Sequence, residues 1–272
     1  GGFLAGGSGG IGSVRWGFLR DPGHLISLEV ITLQNPPQKL YLDATKSEAL
    51  NHAYGTNGII TSVTLATTHA EVWHEVTIEC SDWQIAVELM QRIASSAIDL
   101  YLCSFLEGEI VDSISQFNGD FSSGHTLLLL VSSSGLTTVQ RLAEAYGARN
   151  INFRGPENDL RGNNLRELSW NHTTLHMRSL DSSWTYLQML LPEPEVEVMK
   201  TLKTRWGDDL LWHLEAVRQQ GNQRLAALPL IRWRDLKSLE KLMSECRELG
   251  AVLFNPHVIT VEDGGLGVID AD

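Results

Sequence analysis

Val72-Trp73-His74-Glu75-Val76-Thr77-Ile78, followed by Asp82-Trp83-Gln84-Ile85-Ala86-Val87-Glu88-Leu89-Met90, sets the frame of this chain. The first run has the β-branched content and length of a strand. The second opens a helix predicted over 82–96, in which Ile85, Leu89 and Ile93 share one face. Forward from there, strands are predicted over 98–105 and 126–131, a helix over 137–146 closed by Gly147, and a short strand over 150–153. That order is β-α-β-β-α-β, the split βαβ or ferredoxin-like order. It recurs as a strand over 184–191, a helix over 195–206 ended by Gly207, strands over 210–217 and 224–231, a helix over 236–249 ended by Gly250, and a strand over 251–255. The copies, about 71–155 and 184–256, match in pattern and not in residue identity. The expectation is an α+β fold whose repeats join into one long antiparallel sheet with helices on a single face.

Residues 1–70 read as a separate unit, with 71–272 as the second. Leu25 to Thr32 is strand-like, Asn35-Pro36-Pro37 turns the chain, and Lys39 to Leu42 returns as a hairpin partner. A short helix is expected from Ser47 to Tyr54, stopped by Gly55, and a strand from Gly58 to Leu65. A sheet of this size cannot bury both its faces alone.

With Lys+Arg 21 against Asp+Glu 33, the net charge of -12 argues against a nucleic-acid or anionic-membrane partner. The longest apolar run, Leu127 to Val131, is a buried strand and far short of a membrane span. The start shows no basic region followed by an apolar stretch, so a cytoplasmic protein is expected. Cys80, Cys103 and Cys246 are odd in number and far apart, which fits buried thiols and neither a disulfide framework nor a zinc knuckle. The opening at Gly1-Gly2 without a methionine and the ending at Asp270-Ala271-Asp272 read as cuts from something longer.

Eight of the first 17 residues are glycine. Gly7-Ser8-Gly9-Gly10-Ile11-Gly12 matches G-x-G-x-x-G, with Glu29 17 residues beyond. The dinucleotide motif needs a strand before it and a helix after it. Ser13 to Gly23 has no helical period and ends in a Pro-Gly turn, so the match is rejected. The density still wants a reason, because glycine is costly in chain entropy unless the backbone must come close to something. Phe3, Leu4, Ile11, Val14, Trp16, Phe18 and Leu19 are too apolar for a linker, which leaves ligand contact by bare main chain.

Gly1-Gly2-Phe3-Leu4-Ala5-Gly6-Gly7, Gly12-Ser13-Val14-Arg15-Trp16-Gly17, Leu28-Glu29-Val30 and Gly58-Ile59-Ile60-Thr61 resemble the FAD-linked oxidases of the vanillyl-alcohol oxidase type, near the glycolate oxidase and D-lactate dehydrogenase branch. The resemblance covers residues 1–68 by motif and implies the second subdomain of the FAD-binding domain. It extends to the remaining two-thirds by pattern, implying the α/β cap. The first subdomain, which carries the pyrophosphate loop, and the closing C-terminal segment are missing. By resemblance the parent protein oxidises an alcohol or 2-hydroxy acid by hydride transfer to FAD, then passes electrons to an acceptor that the sequence does not name. The implied FAD contacts are Gly1, Gly2, Phe3, Ala5, Gly6, Gly7, Gly12, Ser13, Arg15, Gly17, Gly58, Ile59 and Ile60.

Hydride abstraction needs a base near neutral pH and a cation or amide to fix the small-molecule substrate. Arg166 to Arg178, between the repeats, is the densest source: His172 and His176 as base candidates, Trp170, Asn171 and Arg178 as substrate contacts. His172 and His176 could share a metal only on a helix. Thr173-Thr174 disfavours one and the histidine-rich run of metal-using relatives is absent, so no metal is expected. His257, aimed by Asn255-Pro256, is a further base candidate. Arg15 and Arg20 could each meet a pyrophosphate or form a salt bridge. The competing reading is a non-catalytic small-molecule or protein-binding module with ferredoxin-like repeats.

Overall fold

A computed structural model describes residues 2–7, 9–51, 53–114, 124–156 and 164–256. Gly1 and His257, two expected site residues, lie outside them.

The glycine-rich opening forms two single helical turns, α1 (Gly2–Ala5) and α2 (Ser13–Trp16), joined by irregular chain. The second corrects the expectation that no helix follows Gly12, although it is one turn long. β1 (Leu25–Ile31), β2 (Lys39–Asp43) and β3 (Ile59–Leu65) form an antiparallel sheet in the order β2-β1-β3. Leu28 and Val30 bury one face of it against Leu4 and Leu50. The expected helix after β2 begins three residues earlier, as α3 (Ala44–Ser47), because the Asp43 carboxylate accepts the Lys46 N–H at 2.9 Å and caps it. It ends in a 3₁₀ turn at Leu50.

From Trp73 the elements run β4 (Trp73–Cys80), α4 (Trp83–Ala94), β5 (Leu100–Leu106), α5 (Gly108–Ser113), β6 (His125–Ser132), α6 (Leu136–Ala145) and β7 (Asn150–Pro156). After a 3₁₀ turn at Leu165–Leu168 and α7 (Asn171–Leu180), the second half follows. It comprises β8 (Trp184–Tyr186), β9 (Gln188–Leu190), α8 (Glu195–Trp206), β10 (Leu210–Leu211), β11 (His213–Gln219), β12 (Asn222–Ala227), β13 (Leu230–Arg232), α9 (Leu236–Glu248) and β14 (Val252–Phe254).

Eight strands form one antiparallel sheet, β14-β9-β12-β11-β5-β6-β4-β7. Its halves share one spatial sequence, last strand, first, third, second, and meet where Leu214 of β11 pairs with Phe105 of β5. One face carries α4, α6, α8 and α9 over a core that includes Leu89, Met90, Ile93, Val139, Leu202 and Leu242. Burying each such side chain contributes roughly 1.5–3 kcal/mol. Ile85 is exposed, so the buried stripe of α4 is Ala86, Leu89, Met90 and Ile93.

The other face is also covered, contrary to the single-face expectation. Over the first half lie α5, the 3₁₀ turn and α7, packing Ile110, Leu165 and Met177 on Leu102, Leu128 and Leu130. Over the second half lie Phe18 and Trp170, against Leu190, Val217 and Ala226. The long strands expected in the second half break at Leu187, Trp212 and Leu228–Pro229. Pro229 has no N–H to continue a ladder, and its carbonyl instead accepts the Leu187 N–H at 3.3 Å. The pieces beyond the breaks make a small third sheet, β10-β13-β8.

The α7 helix contradicts the reading of Thr173-Thr174 as helix-disfavouring. Both threonines are buried, and the Thr173 hydroxyl donates back to the Trp170 carbonyl at 2.7 Å. Tertiary bonds outweigh a weak local propensity here.

Candidate functional site

Where the glycine-rich segment crosses the second half of the large sheet, a cleft of about 480 Å³ opens. Leu190, Ala226 and Phe254 line it from the sheet, Phe3, Gly6, Gly7, Gly9, Phe18 and Arg20 from the glycine-rich segment, and Trp170, Asn171 and His172 from the start of α7. Its size is that of a small-molecule site, largely apolar with a few polar groups.

Trp170 holds the junction together. Its backbone sits at φ 52, ψ -138, a region that a side chain enters only at a cost of about 1–3 kcal/mol. Buried bonds fix it there. The Trp170 N–H donates to Glu215 Oε1 at 2.8 Å, and the same oxygen lies 2.8 Å from His213 Nε2. His213 Nδ1 is 2.6 Å from the Thr173 hydroxyl that serves the Trp170 carbonyl. Ser104 donates to the other Glu215 oxygen at 2.5 Å. A buried carboxylate with this many donors is satisfied and rigid.

The ring of Trp170 explains Gly9. A Cβ there would lie 3.0 Å from the ring and 3.0 Å from Phe18, so glycine lets the two aromatic groups close over the main chain. Gly12, at φ +96, donates its N–H to the Tyr101 carbonyl at 2.8 Å and has Trp16 and Tyr101 over its missing Cβ. Gly17, at φ +88, lies against Asp21 and the Arg218 carbonyl. Gly58 lies against Val30. Gly9, Gly12, Gly17 and Gly58 are therefore used to seat the chain on itself.

The expected site residues divide accordingly. Phe3, Gly6, Gly7, Trp170, Asn171 and His172 come together in the cleft. Gly2 sits in α1 with open space beside it, and Ala5 uses its carbonyl on the Tyr54 N–H. Gly12, Ser13, Arg15, Gly17, Gly58, Ile59 and Ile60 do not line the cleft. Arg15 pairs with Asp99 at 3.2 Å and stacks on Trp16 and Trp73. His176 is bonded to the Ser113 carbonyl at 2.7 Å, and Arg178 donates to the Trp184 carbonyl at 2.9 Å, so both turn from the cleft. Although His172 and His176 share a helix after all, no group of three metal-ligating side chains forms among the described residues.

His172 is half exposed, with Nδ1 3.6 Å from Glu167 Oε2. Residues that the sequence reading did not place in a site include Phe18, Tyr54, Tyr186, Gln188 and Phe254. The last three gave no local signal, because they reach the cleft through strand pairing.

No family model matches the chain, and no curated protein matches it by sequence. Solved structures decide the architecture. The fold is similar to that of about half of alkyldihydroxyacetonephosphate synthase. One structure of the synthase has a TM-score of 0.63 and 15% identity, covering 92% of this chain and 53% of its own. Another, in a different crystal form, has a TM-score of 0.60 and 16% identity, covering 92% and 52%. The chain thus spans about half the length of the synthase structures it matches. At this identity the likeness is one of fold alone and does not extend to the narrower glycolate oxidase branch. No helix among the described residues is long and apolar enough to cross a membrane.

Proposed function

We propose that this chain is part of an FAD-dependent oxidoreductase and that its cleft receives the flavin ring together with the substrate. The observation that carries this reading is the joining of the Gly6-Gly7 main chain, the aromatic wall and the sheet of the second half around one cavity. Gly6 and Gly7 present backbone without side chains, and Phe3, Phe18 and Trp170 offer flat apolar faces, which suits a planar ring. Arg20 is the one permanently charged group among the described lining residues.

When bound, the flavin supplies a hydride acceptor. This chain supplies the geometry. The clamped Trp170 lines the cleft, Asn171 offers an amide for orienting the substrate, and His172 stands beside it as the group to take the hydroxyl proton. Glu167 Oε2 lies 3.6 Å from His172 Nδ1, beyond hydrogen-bond distance. The substrate in this reading is an alcohol or 2-hydroxy acid, and the two βαββαβ halves act as a tandem ferredoxin-like cap.

The glycines already covered by the chain's own side chains favour the second reading, a non-catalytic small-molecule or protein-binding module, at those positions. One preparation separates the two. The longer polypeptide that carries this chain is expected to bind FAD and to bleach with an alcohol or 2-hydroxy acid. If pure and folded yet colourless after incubation with FAD, it rules the flavoenzyme out. A coloured protein that no such substrate bleaches favours the binding module.

A further inference from the structure

We propose that Arg20 is an anion anchor, holding a carboxylate or phosphate of the ligand that enters the cleft. The inference rests on the cleft being the ligand site and adds the charge that its ligand carries.

Several of the described arginines are already paired. Arg15 pairs with Asp99, Arg154 with Glu75, Arg178 with the Trp184 carbonyl, Arg224 with the Leu191 carbonyl and Arg232 with Asp181. Arg92, Arg141, Arg149 and Arg247 are exposed and solvated. Arg20 belongs to neither group. It is half-buried, lines the cleft, and makes no hydrogen bond or ion pair to any described residue. Its neighbour Asp21 is occupied with the Phe18 N–H at 2.9 Å.

The guanidinium is nevertheless fixed. Its carbon sits 5.0 Å from the centre of the Phe18 ring and 5.8 Å from that of Phe254. Aromatic faces hold a guanidinium by cation–π attraction without consuming its donors. What remains is a preorganised planar fork, suited to a carboxylate or phosphate. The surroundings agree in sign. In a chain of net charge -12, no Asp or Glu appears among the described residues lining this cleft.

The anionic group could belong to the substrate or to the cofactor, and paired probes tell them apart. Mandelate against mandelamide tests a substrate acid, and FMN against riboflavin tests a cofactor phosphate, each titrated calorimetrically into the folded protein. In the unaltered protein, at least one anionic member is expected to bind roughly tenfold to a hundredfold more tightly than its neutral counterpart. Arg20→Met keeps the aliphatic stem between the rings and is expected to abolish that preference with little change in melting temperature. Arg20→Lys, a point charge without the fork, is expected to keep part of it. Preference in the mandelate pair assigns the anchor to the substrate, and in the FMN pair to the cofactor. Equal binding within both pairs, or a preference that survives Arg20→Met, overturns the anchor. Failure of both flavins alongside a mandelate preference would count against the flavin reading and leave the anchor in place.

Discussion

The Glu215 carboxylate accepts the main-chain N–H of Trp170 at 2.8 Å, from a strand on which it is almost wholly buried. Because His213 bonds to the same oxygen and to the Thr173 hydroxyl, one buried pair fixes both ends of the Trp170 residue. Glu215→Ala leaves His213 and the Trp170 N–H without their acceptor. A loss of about 1–3 kcal/mol is expected, the usual cost of leaving buried polar groups without a partner. Glu215→Gln, which keeps one acceptor oxygen, is expected to lose less. Urea unfolding of the three proteins checks the order, and equal stability of Glu215→Ala and the parent would refute the clamp.

Glycines seated against the chain's own atoms are expected to resist substitution, while a free one is not. Gly17→Ala places a side chain at positive φ, 3.1 Å from the Arg218 carbonyl and against Asp21. A loss of about 1–3 kcal/mol is expected. Gly2→Ala meets nothing within 4 Å and is expected to leave stability unchanged. Paired thermal melts test the contrast.

All three thiols are free and buried. Burial pushes Cys80 up to about 11 and Cys246 up to about 12, and it raises Cys103 as well. At pH 8 the folded protein is therefore expected to take up no iodoacetamide, and the denatured protein three equivalents by intact mass.

Burial lowers the His125 pKa below its ordinary value of 6.5. The folded state then favours the neutral ring, and the unfolded chain takes up the proton first. The contribution is full above pH 6.5 and is lost as pH falls through the folded value. Glu107 and Glu195, raised chiefly by burial, act in the opposite direction, gaining stability as they protonate. The decisive quantity is consequently the difference between the parent and His125→Gln, which keeps an acceptor for the Gly108 N–H. The parent is expected to lose more melting temperature than the variant between about pH 7 and pH 5.

The sheet was legible because its strands carry apolar runs and its helices end at glycines in plain view. Gly147, Gly207 and Gly250 all adopt positive φ at the helix ends. Less was legible wherever distant residues decide. The α7 helix depends on His213, 40 residues from Thr173, and the strand breaks depend on Pro229 meeting Leu187 across two sheets. The cleft was half legible: the aromatic, amide and imidazole of Trp170, Asn171 and His172 stood out as residue types. Arg15 and Arg20 looked alike in sequence, and only Asp99 beside Arg15 tells which one is spent.

Photoaffinity labelling of the proposed flavoprotein with an azido-FAD tests the assignment of the cleft most directly. Label is expected on peptides holding Phe3 to Phe18 or Trp170 to His172, competed away by unmodified FAD. Competable label confined to other peptides, or none at all on folded protein, would contradict it.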